Sequence, residues 1–303
     1  MPILVLTILL VFLPMLAWPA TYYVKKTGSN SNNCTAAQNP STPKLTIGST
    51  NGSGGAGCLE QAGDILIIGD GTYTEGEIQI NKSHMTNGSG GTSNSPIIIR
   101  AENQHGAIIS STSSCNPNIS SYANYITFDG FDMRINASNV YCTPNSAAGT
   151  AIRCWNGNTG CVTRNLKIDD PVDGQGRTIR SHGVKSNQPN TIIEYNEIAS
   201  GIETLAANNS VVRYNYFPCD AASNHGGGNW GHMMVNKGGS TGVLVYGNFI
   251  NATCINNWGI LLGGSTDQSV PHTYECISCS AYNNIVKVST SGEALGFQGC
   301  DDC

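Results

Sequence analysis

The chain has 303 residues, and charged side chains make up only 12% of them, with a formal net charge of −5 at pH 7. So few charges exclude a charge-rich disordered chain, and the negative net charge disfavours a nucleic-acid partner. Glycine contributes 36 residues and asparagine 33, which disfavours a helical bundle because neither residue stabilises the interior of a helix. The composition therefore favours a packed protein built from strands and turns.

An apolar run of 16 residues opens the chain, from Ile3 to Trp18, and no charged residue occurs before Lys25. The run is shorter than the roughly 20 residues that a membrane-spanning helix needs. We interpret residues 1–20 as a secretory signal peptide and residues 21–303 as a single secreted domain without membrane contact after cleavage. An uncleaved membrane anchor is the alternative interpretation.

Twelve cysteines occur in the chain, and this number behind a signal peptide fits an oxidising compartment in which disulfides support loops. Cys154 and Cys161 bracket a short polar loop, which predicts a local disulfide. Cys219 and Cys254 follow equivalent apolar segments at similar offsets. This placement predicts a disulfide that joins neighbouring loops.

Two Cys-x-x-Cys pairs stand near the end of the sequence, Cys276 with Cys279 and Cys300 with Cys303. Their spacing is typical of a four-cysteine zinc site. Because an exported thiol is more often oxidised than bound to metal, we expect disulfides there rather than zinc. A redox-active pair is a third alternative.

Short apolar segments recur along the chain, and each carries an asparagine near its end. The segments are 162–168, 191–198, 210–217, 242–250 and 279–286, with Asn165, Asn196, Asn215, Asn248 and Asn284. A second, weaker segment lies between consecutive copies, at 183–186, 201–205, 231–235, 258–262 and 293–297. Apolar positions alternate in these segments, which is the spacing of strands and not of helices.

Strands this short cannot bury a face alone, so each must stack on its neighbour in the repeat. Asparagine permits left-handed backbone at a sharp corner, and its amide can form a ladder with the next copy. The repeat therefore predicts an all-β fold, a right-handed parallel β-helix (solenoid) of about seven to nine turns with disulfide-supported loops.

The opening of this region, residues 21–109, resembles secreted β-helix proteins of the pectate-lyase-like superfamily. The resemblance rests on Tyr22-Tyr23-Val24, Gly28, Pro43, Gly63-Asp64, Gly71-Thr72-Tyr73 and Pro96-Ile97. It covers most of residues 21–287 and implies the parallel β-helix fold. It says little about activity, because that superfamily includes lyases, hydrolases, epimerases and proteins without known activity.

A narrower resemblance covers residues 183–217, which are similar to polysaccharide lyase family six, the group of chondroitinase B and the alginate lyases. In that family a Lys-Ser pair precedes an asparagine-rich strand and the lysine is the general base, which the resemblance places at Lys185. Where the family has a partner arginine, this chain has Leu205-Ala206. Where it has calcium-binding glutamates, this chain has Thr178 and Arg180.

Cleavage of a uronide by β-elimination needs a group that neutralises the carboxylate, a base that removes the proton at C5 and an acid that protonates the leaving oxygen. The predicted catalytic residues are Lys185, His182 and Arg180, and the predicted substrate-binding residues are Arg177, Trp230 and His232. The candidate ligands of Ca2+, a cation that prefers carboxylate oxygens, are Asp169, Asp170 and Asp173. The alternative is a solvated loop with ordinary surface ion pairs.

Two functions stay open at this point. The first is a secreted carbohydrate-active enzyme, a polysaccharide lyase that acts on an acidic, uronate-containing polysaccharide by β-elimination. The second is a non-catalytic extracellular β-helix that binds glycan or serves as a surface scaffold or adhesin. Residues 292–303 begin another turn and stop at Cys303, so we expect either a fragment of a longer chain or a partner chain that covers this end.

Overall fold

The fold is described from a computed structural model for residues 18–48, 54–111, 116–134, 150–169, 182–218, 232–253, 258–264 and 272–303. The predicted signal peptide lies outside these residues except for its last three positions. Within the described ranges, no helix is long and apolar enough to cross a membrane.

Three sheets surround a common interior, and the chain passes through sheets A, B and C in turn before it returns to sheet A one rung further on. Sheet A contains β1 (Thr21–Val24), β2 (Ile65–Ile68), β5 (Ile97–Ala101), β8 (Ile126–Asp129), β11 (Val162–Arg164), β14 (Ile192–Glu194), β17 (Val211–Arg213), β21 (Leu244–Tyr246) and β25 (Ser280–Tyr282). Sheet B contains β3 (Gly71–Glu75), β6 (Ala107–Ser111), β9 (Asp132–Arg134), β12 (Lys167–Asp169), β15 (Glu197–Ile198), β18 (Tyr216–Phe217), β22 (Phe249–Ala252) and β26 (Ile285–Val288).

Sheet C carries the candidate site described below. It contains β4 (Ile78–Asn81), β7 (Ile119–Tyr122), β10 (Thr150–Cys154), β13 (His182–Ser186), β16 (Gly201–Leu205), β19 (Met234–Lys237), β23 (Trp258–Gly263) and β27 (Glu293–Gln298). A short sheet D contains β20 (Ser240–Thr241), β24 (Cys276–Ile277) and β28 (Cys300–Asp301). Three 3-10 turns lie at Ala36–Gln38, Gly55–Cys58 and Lys82–His84.

The part of the chain that the structure describes has nine rungs, counted along sheet A, and no α-helix. The paired strands run parallel, as between β11 and β14 or between β13 and β16. The prediction of an all-β parallel β-helix is confirmed. Each predicted segment with an asparagine, such as 191–198, forms two strands separated by a corner, here β14 and β15.

The core is a set of columns of apolar side chains that run through the rungs. In sheet A, Leu66, Ile99, Phe128 and Ile193 occupy one register column, and each is at most 1% exposed. Because a buried side chain of this size contributes about 1.5–3 kcal/mol relative to an exposed one, each rung is stabilised mainly by contact with its neighbours. This dependence explains why strands of two to six residues are sufficient.

An asparagine ladder marks the corner between sheets A and B. The Nδ2 atoms of Asn196, Asn215 and Asn248 donate to the Oδ1 atoms of Asn215, Asn248 and Asn284 over 2.9, 3.0 and 2.9 Å. The first three side chains are buried, so the ladder satisfies polar groups that water cannot reach. The predicted amide ladder is confirmed for these four residues.

The prediction that the ladder asparagines themselves take the left-handed conformation is wrong. The preceding residues do so, with φ of 55° at Tyr195 and 56° at Tyr214. Asn165 also has a positive φ, 54°, and the next residue, Leu166, fills the ladder position, where its N–H donates to Oδ1 of Asn196 over 2.9 Å. The assignment of Asn165 to the ladder is therefore one residue out of register, since adjacent positions of this corner both favour asparagine.

Disulfides join cysteines at both ends of the described chain. The predicted bond between Cys154 and Cys161 is confirmed, and Cys34 bonds to Cys58. The predicted pair Cys219 and Cys254 lies outside the described residues.

The two Cys-x-x-Cys pairs form the disulfides Cys276–Cys279 and Cys300–Cys303. Three of these sulfurs, in Cys276, Cys279 and Cys303, lie within 4.8 Å of one another, which is close enough to surround a metal ion. Their engagement in disulfides argues against zinc, because zinc binds the thiolate.

Candidate functional site

A row of polar side chains crosses the outward face of sheet C at one register position. Ser120 of β7, Arg153 of β10, Lys185 of β13 and Glu203 of β16 are consecutive Cα partners in parallel strands. Side chains that share a register column lie on the same face of a sheet. The fold therefore brings together residues up to 83 positions apart in a single row along the axis of the β-helix.

The position of His182 depends on an irregularity of β13. In regular alternation His182 would face the interior with Val184, which is fully buried. The register between β13 and β16 shifts between His182 and Val184, as in a β-bulge, and a bulge re-aims the side chains beside it. His182 and Lys185 consequently contact the same side chain, Glu203, on the outward face.

Glu203 is the centre of the charged cluster. Its Oε1 lies 2.5 Å from Nζ of Lys185, and its Oε2 lies 3.3 Å from Nζ of Lys237 and 3.7 Å from Nε2 of His182. The Glu203 side chain is only 5% exposed, whereas those of Lys185 and His182 are 20% and 35% exposed. A buried carboxylate therefore holds two basic groups that a ligand in solvent can still reach.

The neighbours of Glu203 determine which groups carry charge. Burial disfavours its ionised form, but His182 and the two lysines outweigh this effect and lower the pKa of Glu203 to about 2. Burial lowers the pKa of His182 to about 4, and the positive charges of Lys185, Lys237 and Arg153 add to this effect while Glu203 opposes it. At neutral pH the cluster therefore pairs an ionised glutamate with a neutral histidine.

Lys185 is subject to opposing influences. Burial, Arg153 and Lys237 lower the pKa of its ammonium group, and the ion pair with Glu203 raises it. The net result is a pKa below the ordinary lysine value of 10.5. Lysines in such surroundings give up a proton more readily than exposed lysines do.

Aromatic side chains follow the charged residues on the same face. The guanidinium carbon of Arg153 lies 4.4 Å from the ring centroid of Trp155, and Trp155 stacks on Tyr122 with centroids 5.6 Å apart and planes 8° apart. The indole Nε1 of Trp155 donates to Oγ of Ser120 over 3.1 Å, and this hydroxyl in turn donates to Glu77. Hydrogen bonds and ring contacts thus continue the polar row through the earlier rungs.

His232 lies beside β19, where its ring contacts the indole of Trp258 with centroids 5.2 Å apart. Burial lowers the pKa of His232 to about 4, helped by Lys237 and opposed by Glu203. Its Nδ1 atom is buried and makes no hydrogen bond with the part of the chain that the structure describes. His232 therefore belongs to the electrostatic surroundings of the cluster, but it forms no ion pair with Glu203 in the described residues.

The structure brings together part of the predicted site. Lys185 and His182 meet at Glu203, and His232 lies nearby, beside β19. The predicted residues Arg180, Arg177, Trp230, Asp170 and Asp173 lie outside the described residues.

Asp169 is separate from this cluster, because it ends β12 in sheet B. Its carboxylate is 43% exposed and lies 3.8 Å from Nε of Arg134 and 3.9 Å from Nζ of Lys167. Two cations at this distance compete with a metal ion for the carboxylate oxygens. The other two candidate Ca2+ ligands, Asp170 and Asp173, lie outside the described residues, and within those residues the three cysteine sulfurs are the only grouping with the spacing of metal ligands.

Sequence reasoning missed Glu203, Lys237 and Arg153. A usable signal for Glu203 was present, because the segments Gly-Val-Lys-Ser at 183–186 and Gly-Ile-Glu-Thr at 201–204 align residue by residue. That alignment puts Glu203 directly beside Lys185, as the strand register does. Arg153 could be found in the same way only after β10 had been recognised as a further copy of this strand.

Comparison with known proteins identifies the architecture. No protein family model matches the chain, and no curated protein matches its sequence. Among solved structures, the chain is similar to XylC in complex with xylose, with 13% identity and a TM-score of 0.59 over 92% of this chain and 67% of that one. It also matches an alginate lyase from Paenibacillus sp. str. FPU-7, with 15% identity and a TM-score of 0.45 over 81% and 97% of the chains. A further match is the pectate lyase Pel9A, with 15% identity and a TM-score of 0.44 over 92% and 79%.

These identities are too low to transfer an activity, and the likeness concerns the fold. The chain has the parallel β-helix fold.

Proposed function

We propose that this protein is a secreted carbohydrate-active enzyme that cleaves an acidic polysaccharide by β-elimination. The observation that carries the proposal is the contact of His182 and Lys185 with one buried carboxylate, Glu203, on the outward face of sheet C. Secretion is supported by the apolar run before residue 20 and by the disulfides.

The protonation states suggest a role for each residue. His182 is neutral above about pH 4, so its imidazole is available to accept the proton from C5 of a uronate. Lys185 is paired with an ionised carboxylate at 2.5 Å and is available as the acid that protonates the leaving oxygen. The resemblance to polysaccharide lyase family six gives Lys185 the role of base instead, and both assignments need Lys185.

Glu203 has a positioning role in this proposal. It contacts both His182 and Lys185 and is too deeply buried to reach a substrate itself. A fixed anion between the two groups holds them at a constant separation, which is a requirement for concerted proton transfer. We assign no step to Ca2+, because two of its three candidate ligands, Asp170 and Asp173, lie outside the described residues.

A second candidate function is non-catalytic glycan binding. It is favoured by the engagement of both Lys185 and Lys237 with Glu203, since ion pairs of this kind also occur as structural contacts between neighbouring strands. In that case the outward face of sheet C binds a polysaccharide and leaves it intact.

The two functions are separated by incubating the protein with polygalacturonate, alginate and chondroitin, each with added calcium or with a chelator. Elimination creates an unsaturated uronide whose ultraviolet absorbance reports turnover. We expect turnover by the wild type and by Lys167→Met, a control lysine on sheet B, and its loss in His182→Asn and Lys185→Met. Binding of a polyuronate without any unsaturated product would contradict the enzymatic proposal and support the binding function.

A further inference from the structure

Arg153 is a buried cation that forms no ion pair in the part of the chain that the structure describes. It lies on the outward face of sheet C, yet it is only 8% exposed. Among the described residues it forms no ion pair, and its buried Nε makes no hydrogen bond. Its guanidinium carbon lies over the ring of Trp155, 4.4 Å from the ring centroid. Buried charges in proteins are normally paired, because an uncompensated one is costly.

The neighbour of Arg153 makes this environment less favourable still. Arg153 and Lys185 are direct Cα partners on β10 and β13, and like charges at opposite positions of paired strands repel. Glu203 lies one strand beyond Lys185 and forms its ion pair with Lys185, whereas no such pair joins it to Arg153 in the described residues. Burial lowers the pKa of the Arg153 guanidinium, and the charge of Glu203 raises it without outweighing burial.

An anionic ligand would remove this imbalance. A guanidinium offers a planar fork of N–H donors that matches the two oxygens of a carboxylate. We propose that Arg153 binds the carboxylate of an acidic sugar residue that lies beside Trp155 and Tyr122, one rung away from Lys185. The sugar part of this inference rests on the proposed function, whereas the need for an anion rests on Arg153 itself.

The register of the row gives the ligand a direction. Arg153, Lys185 and Glu203 follow one another along the axis of the β-helix, so a polysaccharide held at Arg153 that continues along this axis passes over Lys185. Tyr122, on which Trp155 stacks, belongs to β7 and so lies on the side of Arg153 that is remote from Glu203. Arg153 is therefore a specificity-determining residue in a subsite next to the reacting bond, and we give it no part in proton transfer.

The experiment is calorimetric titration of the full chain with oligogalacturonate and oligomannuronate, each compared with its own carboxyl-reduced, neutral form. Removing a charged hydrogen bond should weaken binding of the acidic form by about 10- to 100-fold in Arg153→Gln. The same variant should bind the neutral form as the wild type does. Arg213→Gln is the matched control, since Arg213 lies in sheet A and is already paired with Glu194. A sulfated dextran tests whether a sulfate ester can replace the carboxylate.

Thermal unfolding of Arg153→Gln separates a binding role from a structural one. Because no described residue forms an ion pair with Arg153, we expect an unchanged or higher melting temperature together with weaker binding. Equal affinity of wild type and Arg153→Gln for the acidic oligosaccharides would overturn the inference, as would failure of the wild type to bind either one. If the variant loses affinity but the wild type produces no unsaturated uronide, the subsite stands and only the proposed reaction fails.

Discussion

Lys185 and Glu203 are register partners on β13 and β16, and their side chains form the shortest charged contact of the described cluster, 2.5 Å between Nζ and Oε1. The contact links the strand register directly to the chemistry of the site. A change in the charge of Glu203 therefore alters both the stability of neighbouring rungs and the state of the basic groups.

Stability should fall in acid in two stages. The pKa of Glu203 is lowered from 4.5 to about 2 in the folded chain. Its contribution to the free energy of unfolding is therefore complete above pH 4.5 and is lost as the pH falls towards 2. That contribution is about 3 kcal/mol, from 1.36 kcal/mol for each pKa unit. His182 and His232 have pKa values lowered to about 4, so their contribution is complete above about pH 6.5 and is lost between there and about pH 4.

Urea denaturation at a series of pH values measures this dependence. In Glu203→Gln the loss below pH 4.5 should be absent, and the free energy of unfolding at neutral pH should be about 3 to 5 kcal/mol lower, because two lysines lose their buried partner. Glu197→Gln is the control, since Glu197 is exposed on sheet B. Parallel pH curves for wild type and Glu203→Gln would show that the carboxylate is not stabilised by its neighbours.

The fold could be predicted because its determinants are local and repeated. Alternating apolar positions and a recurring asparagine are visible in the sequence, and they specify stacked parallel strands. The assignment of Asn165 to the ladder was wrong because it depends on whether the corner begins one residue earlier or later. At that rung Leu166 occupies the ladder position, where its side chain is buried in the core and its backbone N–H donates to Asn196.

The site was less predictable because it is assembled by register. Lys185 and His182 were identifiable as basic residues, but their common orientation requires the bulge between them. Arg153 was not identifiable, since its importance comes from the absence of an ion-pair partner among the described residues, and that property exists only in three dimensions.

Gly183 should be essential to the bulge. A Cβ at this position would lie 2.6 Å from Cγ2 of Ile198 and 3.3 Å from Cγ2 of Ile168, both buried and unable to move aside. We expect Gly183→Ala to lower the free energy of unfolding by about 1 to 3 kcal/mol through overpacking. It should also turn His182 away from Glu203 and towards the interior, where deeper burial and the loss of Glu203 lower the His182 pKa further below about 4, a change that histidine titration by NMR would detect.

A control for this variant is Gly157→Asn, because Gly157 has a φ of 76° and a Cβ added there would meet no heavy atom within 4 Å. Asparagine tolerates that backbone conformation. An unchanged His182 titration in Gly183→Ala, with full stability, would mean that the strand can form the bulge without glycine.

The asparagine ladder should tolerate loss of an internal member poorly. Oδ1 of Asn215 accepts from the backbone N–H and from Nδ2 of Asn196, and its Nδ2 donates to the carbonyl of Ile193 and to Asn248. Asn215→Ala leaves these buried groups without partners, which should lower the free energy of unfolding by about 2 to 4 kcal/mol. Asn283→Gly, at an exposed corner residue with a φ of 53°, should change it by less than about 1 kcal/mol. Equal effects of the two variants in chemical denaturation would argue against the ladder as a source of stability.

The disulfide between Cys154 and Cys161 connects stability with the Arg153 subsite. It closes the short loop that begins with Trp155, the residue on which Arg153 packs. In the double variant Cys154→Ser with Cys161→Ser, the free energy of unfolding should fall by about 2 to 3 kcal/mol, the value expected for a loop of this length. Affinity for acidic oligosaccharides should fall as well, because the indole that supports Arg153 is no longer held in place.

The disulfide Cys34–Cys58 provides the comparison, since it closes a longer loop next to the first rungs. Replacing both of its cysteines by serine should lower the free energy of unfolding by about 3 to 4 kcal/mol but leave the affinity of the remaining folded protein unchanged. Calorimetric titration with the acidic oligosaccharides, at a temperature where both double variants are folded, compares their affinities. If both double variants lose affinity to the same extent, the loss reflects general destabilisation and the loop of Trp155 has no specific part in binding.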